Sequence, residues 1–393
     1  MSPKLQGFLS GLKMSRTGWV VILVLCAQGS ISGCAKEKIP NPCGRQHLFQ
    51  ILPVELSHIR YAAPIGILAP VGGSPLPKYH AGLMLNTLSS PVVAPVDLTV
   101  TQIRRVKYVT SPSRPGYEDY AIFFQVCDEV KGHFGHVTQV DASLVPPASQ
   151  LECQTYSTVD ETVESCSANT EIRVTQGTQM ATSGSAAHSP AIDMGMSDSS
   201  VSDGFINPSR YGRVAEPGTL CPWDWYVESV KTSLYEKIGS QSQFTTESPK
   251  CGSVALDRDG TVAGRWTLKS APADGRDSTA GDFVVFAPEP YAAESRIALS
   301  TRIVALAPGV SNYPKFPREL SGRVNISPSS IGVDGLIYCY VEGLSTSTIS
   351  FLVRMTSTQE MKAEKVPHSA GSSVCASDPS SWAFSGSAVD LIR

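Results

Sequence analysis

The chain has 393 residues, 41% hydrophobic and 17% charged, with 32 glycines and 28 prolines. That is long enough for two or three domains with real cores, and too apolar for a disordered chain. The formal net charge is −3 and no basic patch stands out, which argues against a nucleic-acid partner.

The first residues carry an export signal. Lys4, Lys13 and Arg16 precede an apolar run, Trp19 to Ala27, that is short for a membrane span and fits a signal peptide. Ile31-Ser32-Gly33-Cys34 follows and looks like a bacterial lipobox, with Cys34 as the lipidated residue; ordinary cleavage near Gly33 with a free Cys34 is the alternative. Ala35 comes next in place of aspartate, which favours the outer membrane in a Gram-negative cell. Without residues 1–33 the chain keeps 29 basic and 35 acidic residues, a net charge of about −6.

Of the ten cysteines, Cys26 lies in the signal and Cys34 at the lipid position. The remaining eight, an even number in an exported chain, suggest disulfides, with about 105 possible pairings. Pairing neighbours along the chain gives Cys153–Cys166, Cys221–Cys251 and Cys339–Cys375, and leaves Cys43 with Cys127. A zinc–cysteine site is the competitor, but no CxxC pair occurs.

Residues 34–69 read as a tether and lead-in segment. Residues 68–77 (LAPVGGSPLP) are turn-forming and lead into Lys78 to Val100. There Pro91 and Pro95 bracket a short strand of the kind found at sheet edges. Leu98 to Val109 alternates with one irregularity, and Tyr120 to Val126 is apolar enough to be a buried strand. Gly132-His133-Phe134-Gly135-His136-Val137, Glu171 to Val174, and Ala191 to Met196 continue the β pattern. Residues 199–220 are a linker. From Pro222, the residues Trp223, Val227, Val230, Leu234 and Ile238 recur at helical spacing. The remainder is β again. A hairpin is expected over Val254 to Leu268, turned by Asp257 to Gly260. Further strands are expected at Asp282–Ala287, Arg296–Leu306, Leu336–Val341, Ile349–Met355 and Trp382–Phe384. Asp257-Arg-Asp-Gly opens like a calcium loop, but Leu268 holds the position that needs glutamate.

Among seven histidines, His133, His136 and His188 lie in the β region after His80. With His80 and Asp193 they make a candidate metal-hydrolase constellation, since hydrolytic zinc needs about three N or O ligands, an open position and a nearby base. No Gly-x-Ser-x-Gly elbow, His-Glu-x-x-His or phosphate-binding glycine loop occurs.

The order His80-Ala-Gly82, Pro91-Val-Val-Ala-Pro95-Val-Asp97-Leu-Thr-Val, Gly135-His136-Val-Thr-Gln-Val140, Gly177 to Gly184 and Ile192-Asp-Met-Gly-Met196 resembles the lysostaphin-like zinc metallopeptidases. These share the duplicated hybrid motif fold and cut peptidoglycan cross-links. The resemblance covers residues 70–198. It implies His80 as a metal ligand and His136 as a catalytic histidine. It also places Met84 where an aspartate ligand belongs, Ala191 at a second catalytic histidine, and Asp193 at the last ligand. His188, three residues early, is the candidate substitute for the second catalytic group. A thioether is a poor zinc ligand. The resemblance therefore implies a degenerate member of the family.

The sequence thus predicts a mainly β protein. A signal peptide (1–33) and tether precede a duplicated-hybrid-motif-like β-sandwich domain (70–198). A linker and one helix lead to a disulfide-braced antiparallel β sandwich or barrel (221–393). The expected role is that of a lipid-anchored cell-envelope protein, non-catalytic, binding peptidoglycan or a cell-wall enzyme and needing no cofactor. The competing role is a zinc-dependent peptidoglycan endopeptidase with a rearranged metal site. An unrelated β-rich envelope interaction protein is the third.

Overall fold

A computed structural model describes residues 43, 49–68, 76–111, 116–157, 162–186, 189–202, 204–210, 218–241, 244–245, 248–272, 282–290, 296–307, 315–318 and 322–393. Cys34 and His188, expected as the lipidation and second catalytic residues, lie outside them.

The chain is mainly β and builds two antiparallel sheets. The first has eleven strands and curls into a nearly closed barrel. Its strands are β1 (Ile59–Ala63), β2 (His80–Leu85), β3 (Pro91–Val93), β4 (Leu98–Thr110), β5 (Glu118–Gln125), β6 (Val130–Thr138), β7 (Glu152–Ser157), β8 (Thr162–Val174), β9 (Gln179–Ala186), β10 (Ser189–Asp198) and β11 (Thr219–Leu220). The order runs β1-β2-β10-β9-β6-β5-β4-β8-β7, with β11 on β10 and β3 on β9. β10 also pairs directly with β6, so it is the central strand of the site described below. β3, bracketed by prolines, pairs with β9 alone, as an edge strand does.

Alternation places this sheet's core. In β4, Leu98 and Val100 point inward, and then Ile103 does. The phase change coincides with a register shift between Val100 and Gln102 against both β5 and β8, a bulge that moves the inward set by one residue. Phe124, Phe134, Leu83, Ile192 and Met194 fill the same core.

The expected helix is shorter than its apolar spacing suggests. Pro222–Trp225 forms a 3-10 turn, and the α-helix α1 covers Glu228–Tyr235. Between them Tyr226 and Val227 are extended, because Phe49 donates its backbone N–H to the Trp225 carbonyl and accepts from Val227. That pairing with a distant segment interrupts the helix. Phe49, Trp223, Tyr226, Leu234 and Ile238 all pack in the first core.

The second sheet has eight strands in the order β15-β14-β13-β12-β19-β18-β17-β16. They are β12 (Gly264–Leu268), β13 (Phe283–Pro288), β14 (Arg296–Thr301), β15 (Lys315–Pro317), β16 (Tyr338–Val341), β17 (Ile349–Ser357), β18 (Glu360–Pro367) and β19 (Val389–Ile392). Trp266, Phe286, Phe316, Tyr340 and Phe351 fill its core. Two expectations fail here. Residues 254–263 are not the first arm of a hairpin. The buried Asp257 carboxylate instead accepts from the Arg265 backbone N–H at 2.8 Å, the Arg265 Nε at 3.0 Å and the Ile206 N–H at 3.1 Å, and those bonds hold the segment as a loop. Trp382 to Phe384 is no strand either. Trp382 follows a 3-10 turn, Pro379–Ser381, capped by Asp378, and its indole packs in a small core beside Cys339 and Cys375.

Four disulfides join Cys43 to Cys127, Cys153 to Cys166, Cys221 to Cys251 and Cys339 to Cys375. Cys153 and Cys166 are directly paired residues of β7 and β8. Each bond contributes roughly 2–4 kcal/mol. Four disulfides place the chain in an oxidising compartment outside the cytoplasm. Among the described residues no helix is long and apolar enough to cross a membrane.

Candidate functional site

The outward face of β2, β10, β6 and β5 carries the site. In β10, Ile192, Met194 and Met196 face the core, so Ala191, Asp193 and Gly195 face out. Register then decides their neighbours. Asp193 lies between Gly82 of β2 and Gly135 of β6. Gly195 lies between His80 of β2 and His133 of β6. His133 is paired in turn with Phe123 of β5. Large polar or aromatic residues and glycines therefore alternate across the strands, and the glycines leave room for the rings. A Cβ on Gly195 would intrude on the His133 imidazole, 2.6 Å from Nδ1.

His136 reaches this face by a backbone irregularity. Regular alternation would point it away from His133. Against β5, however, β6 carries one extra residue between Phe134 and Val137, and His136 has φ 55°. The bulge and the left-handed conformation swing the imidazole over Asp193 and Asp119. A histidine held with positive φ is a strained conformation of the kind found at functional sites.

The polar contacts are short and specific. His80 Nε2 lies 3.2 Å from Asp193 Oδ2, and His136 Nε2 lies 3.4 Å from the same oxygen. His136 Nδ1 lies 2.7 Å from Asp119 Oδ2. A carboxylate only accepts, so Nδ1 of His136 carries the hydrogen. Asp119 is almost fully buried, with its side chain 5% exposed; Asp193 keeps 17%, His136 25% and His80 30%. Burial pushes the Asp193 carboxyl upward, but the positive charge of His80, His136, Lys78 and His133 outweighs it and holds it below the usual carboxylate value. Burial, with His80 and Arg104 adding to it against the pull of Asp193, drives His133 down to about 4. His133 is therefore neutral at neutral pH.

His80, His136 and Asp193, candidates from the sequence, thus come together. Ala191, at the position of the second catalytic histidine, is buried beside Met84 in the β2–β10 register and offers no polar group. Met84 folds its methyl back toward Gly82, 3.1 Å from where a Cβ would stand there. Two imidazoles and one carboxylate oxygen gather here, but the position where the resemblance expects another ligand is Met84, whose thioether serves zinc poorly. Among the described residues no group of three or more His, Cys, Asp or Glu side chains is arranged to hold a metal ion.

Sequence reasoning missed Asp119 and Phe123, and it named His133 only as one of a group of candidate histidines. Asp119, Ala121 and Phe123 share one face of β5 by simple alternation, a signal that was present in the sequence. Which face opens to the site depends on pairing with β6.

No known protein family matches the chain, and no curated protein does. Among solved structures, a zinc-containing peptidase from Vibrio cholerae is similar at 14% identity with a TM-score of 0.24, over 39% of this chain and 38% of that one. The chain spans well under half of that peptidase's length, and a likeness this slight bears on neither fold nor function.

Proposed function

We propose that this is a cell-envelope lipoprotein, anchored through Cys34, whose first sheet is a non-catalytic module that binds peptidoglycan or a cell-wall enzyme. The observation that carries this reading is Met84, a thioether where another ligand would stand, with Ala191, which has no polar side-chain group, paired beside it where a second catalytic histidine would stand. The partly exposed face around His80, His136 and Asp193 is left to recognise a ligand. The competing reading is a zinc-dependent peptidoglycan endopeptidase. It is favoured by the buried Asp119 behind His136, since a carboxylate that orients an imidazole is a usual companion of working histidines.

Metal content separates the two. The chain from Ala35 onward, purified without chelator, is expected to hold no stoichiometric zinc and to co-sediment with peptidoglycan sacculi. Near-stoichiometric zinc that His80→Ala abolishes, together with cleavage of sacculi, would replace the binding reading by the enzyme reading.

A further inference from the structure

The outward face of β5, β6, β10 and β2 has the shape of a ligand platform. Arg104 of β4 stacks over the Phe123 ring, its guanidinium carbon 4.7 Å from the centroid. Phe123 and His133 have centroids 5.5 Å apart with planes 37° from parallel, and His133 and His80 follow at 6.1 Å. All three rings are only partly buried. Beside the row lies a shallow floor, Gly82, Gly135 and Ala121, from which Asp193 rises. A cleft of about 530 Å³ opens beside the middle of the row, walled by Phe123 and His133 and rimmed by Asp128, Glu129, Lys131 and Ser197.

The chemistry of this surface narrows its occupant. β2, β10, β6 and β5 each pair on both sides, so no free ladder of backbone groups remains for an extended peptide to join. Acids (Asp128, Glu129, Asp193) alternate with cations (Lys131, Arg104, Lys78), and no cluster of one sign invites a phosphate or a polyamine. Partly exposed rings beside side-chain donors and acceptors suit a molecule with an apolar C–H face and a rim of hydroxyls. We propose that this face binds an uncharged glycan chain lying across the strands, its sugar rings stacked on Phe123 and His133 and its hydroxyl or acetamido groups hydrogen-bonded by His80, Asp193 and the cleft rim. The inference rests on the envelope-binding reading and makes the glycan strand, not the peptide stem, the ligand.

The test is calorimetric titration of the chain from Ala35 onward with a tetrasaccharide of β-1,4-linked N-acetylglucosamine, alongside co-sedimentation with sacculi. Binding is expected, weakened on the order of tenfold by Phe123→Ala and retained by Phe123→Tyr, which keeps the ring. Asp193→Asn is expected to weaken it as well, and supplies the same information if Phe123→Ala fails to fold. Tetrasaccharide binding that neither Phe123→Ala nor Asp193→Asn alters would overturn the assignment to this face. Sacculi bound without tetrasaccharide would overturn the glycan inference and leave the envelope-binding reading standing. Failure to bind either would remove both.

Discussion

Gly195→Ala tests the alternation of glycines and rings most directly. The added methyl points out of β10 into the His133 ring, 2.6 Å from Nδ1, a distance no Cβ tolerates. The imidazole has to leave its place against Phe123 and His80, or the strands have to part. Overpacking of this kind costs about 1–3 kcal/mol. The intrinsic effect of replacing a strand glycine by alanine has the opposite sign, a gain of about 0.5–1 kcal/mol. Where the ring is present the clash outweighs the gain; where it is absent only the gain remains. Gly195→Ala is therefore expected to destabilise the natural chain and to be neutral or stabilising in a His133→Ala background, a coupling of about 2 kcal/mol. Urea unfolding of the four chains, followed by tryptophan fluorescence (Trp223 and Trp225 sit in the same core), measures it. Equal effects of Gly195→Ala in both backgrounds would refute the register-built packing of this face.

Two further outcomes follow from the same geometry. His133 has a folded-state pKa of about 4 against an ordinary value of 6.5, so the unfolded chain takes up its proton first as pH falls. Its contribution is fully present above about pH 6.5 and is lost between there and pH 4, up to about 3 kcal/mol, and His133→Gln is expected to flatten the fall in urea midpoint between pH 7 and 4.5. An unchanged slope in that variant would show that other groups carry the pH dependence. Asp119→Ala removes the acceptor for the His136 Nδ1 hydrogen and is expected to cost about 1.5–3 kcal/mol, with part recovered in Asp119→Asn, whose carbonyl still accepts. The slowly exchanging Nδ1 proton of His136, visible by NMR in the natural chain, should vanish in Asp119→Ala. Its persistence would mean that another group holds the ring.

Much of this protein was legible in one dimension. Low charge, many glycines and prolines, and period-2 alternation in segments such as Leu98 to Val109 and Tyr120 to Val126 specify short, half-buried strands, because each strand exposes one face and buries the other. An even set of eight cysteines from Cys43 to Cys375 pointed to an oxidising compartment for the same chain that now shows four bonds. Met84 could be singled out because the identity of a side chain decides whether it can ligate, wherever it is placed. Alternation, however, stops at the strand. It puts Asp119 with Phe123, and Asp193 with Gly195, but it does not say which strands lie side by side or in what register. That pairing, fixed by long-range packing, set Gly195 between two histidines and Asp193 between two glycines. It also inserted the extra residue in β6 that turned His136 against its own alternation and toward Asp119. Residue chemistry and local periodicity were thus written in the sequence, while the meeting of those residues on one face depended on hydrogen-bond ladders between segments up to about a hundred residues apart, which only the folded sheet specifies.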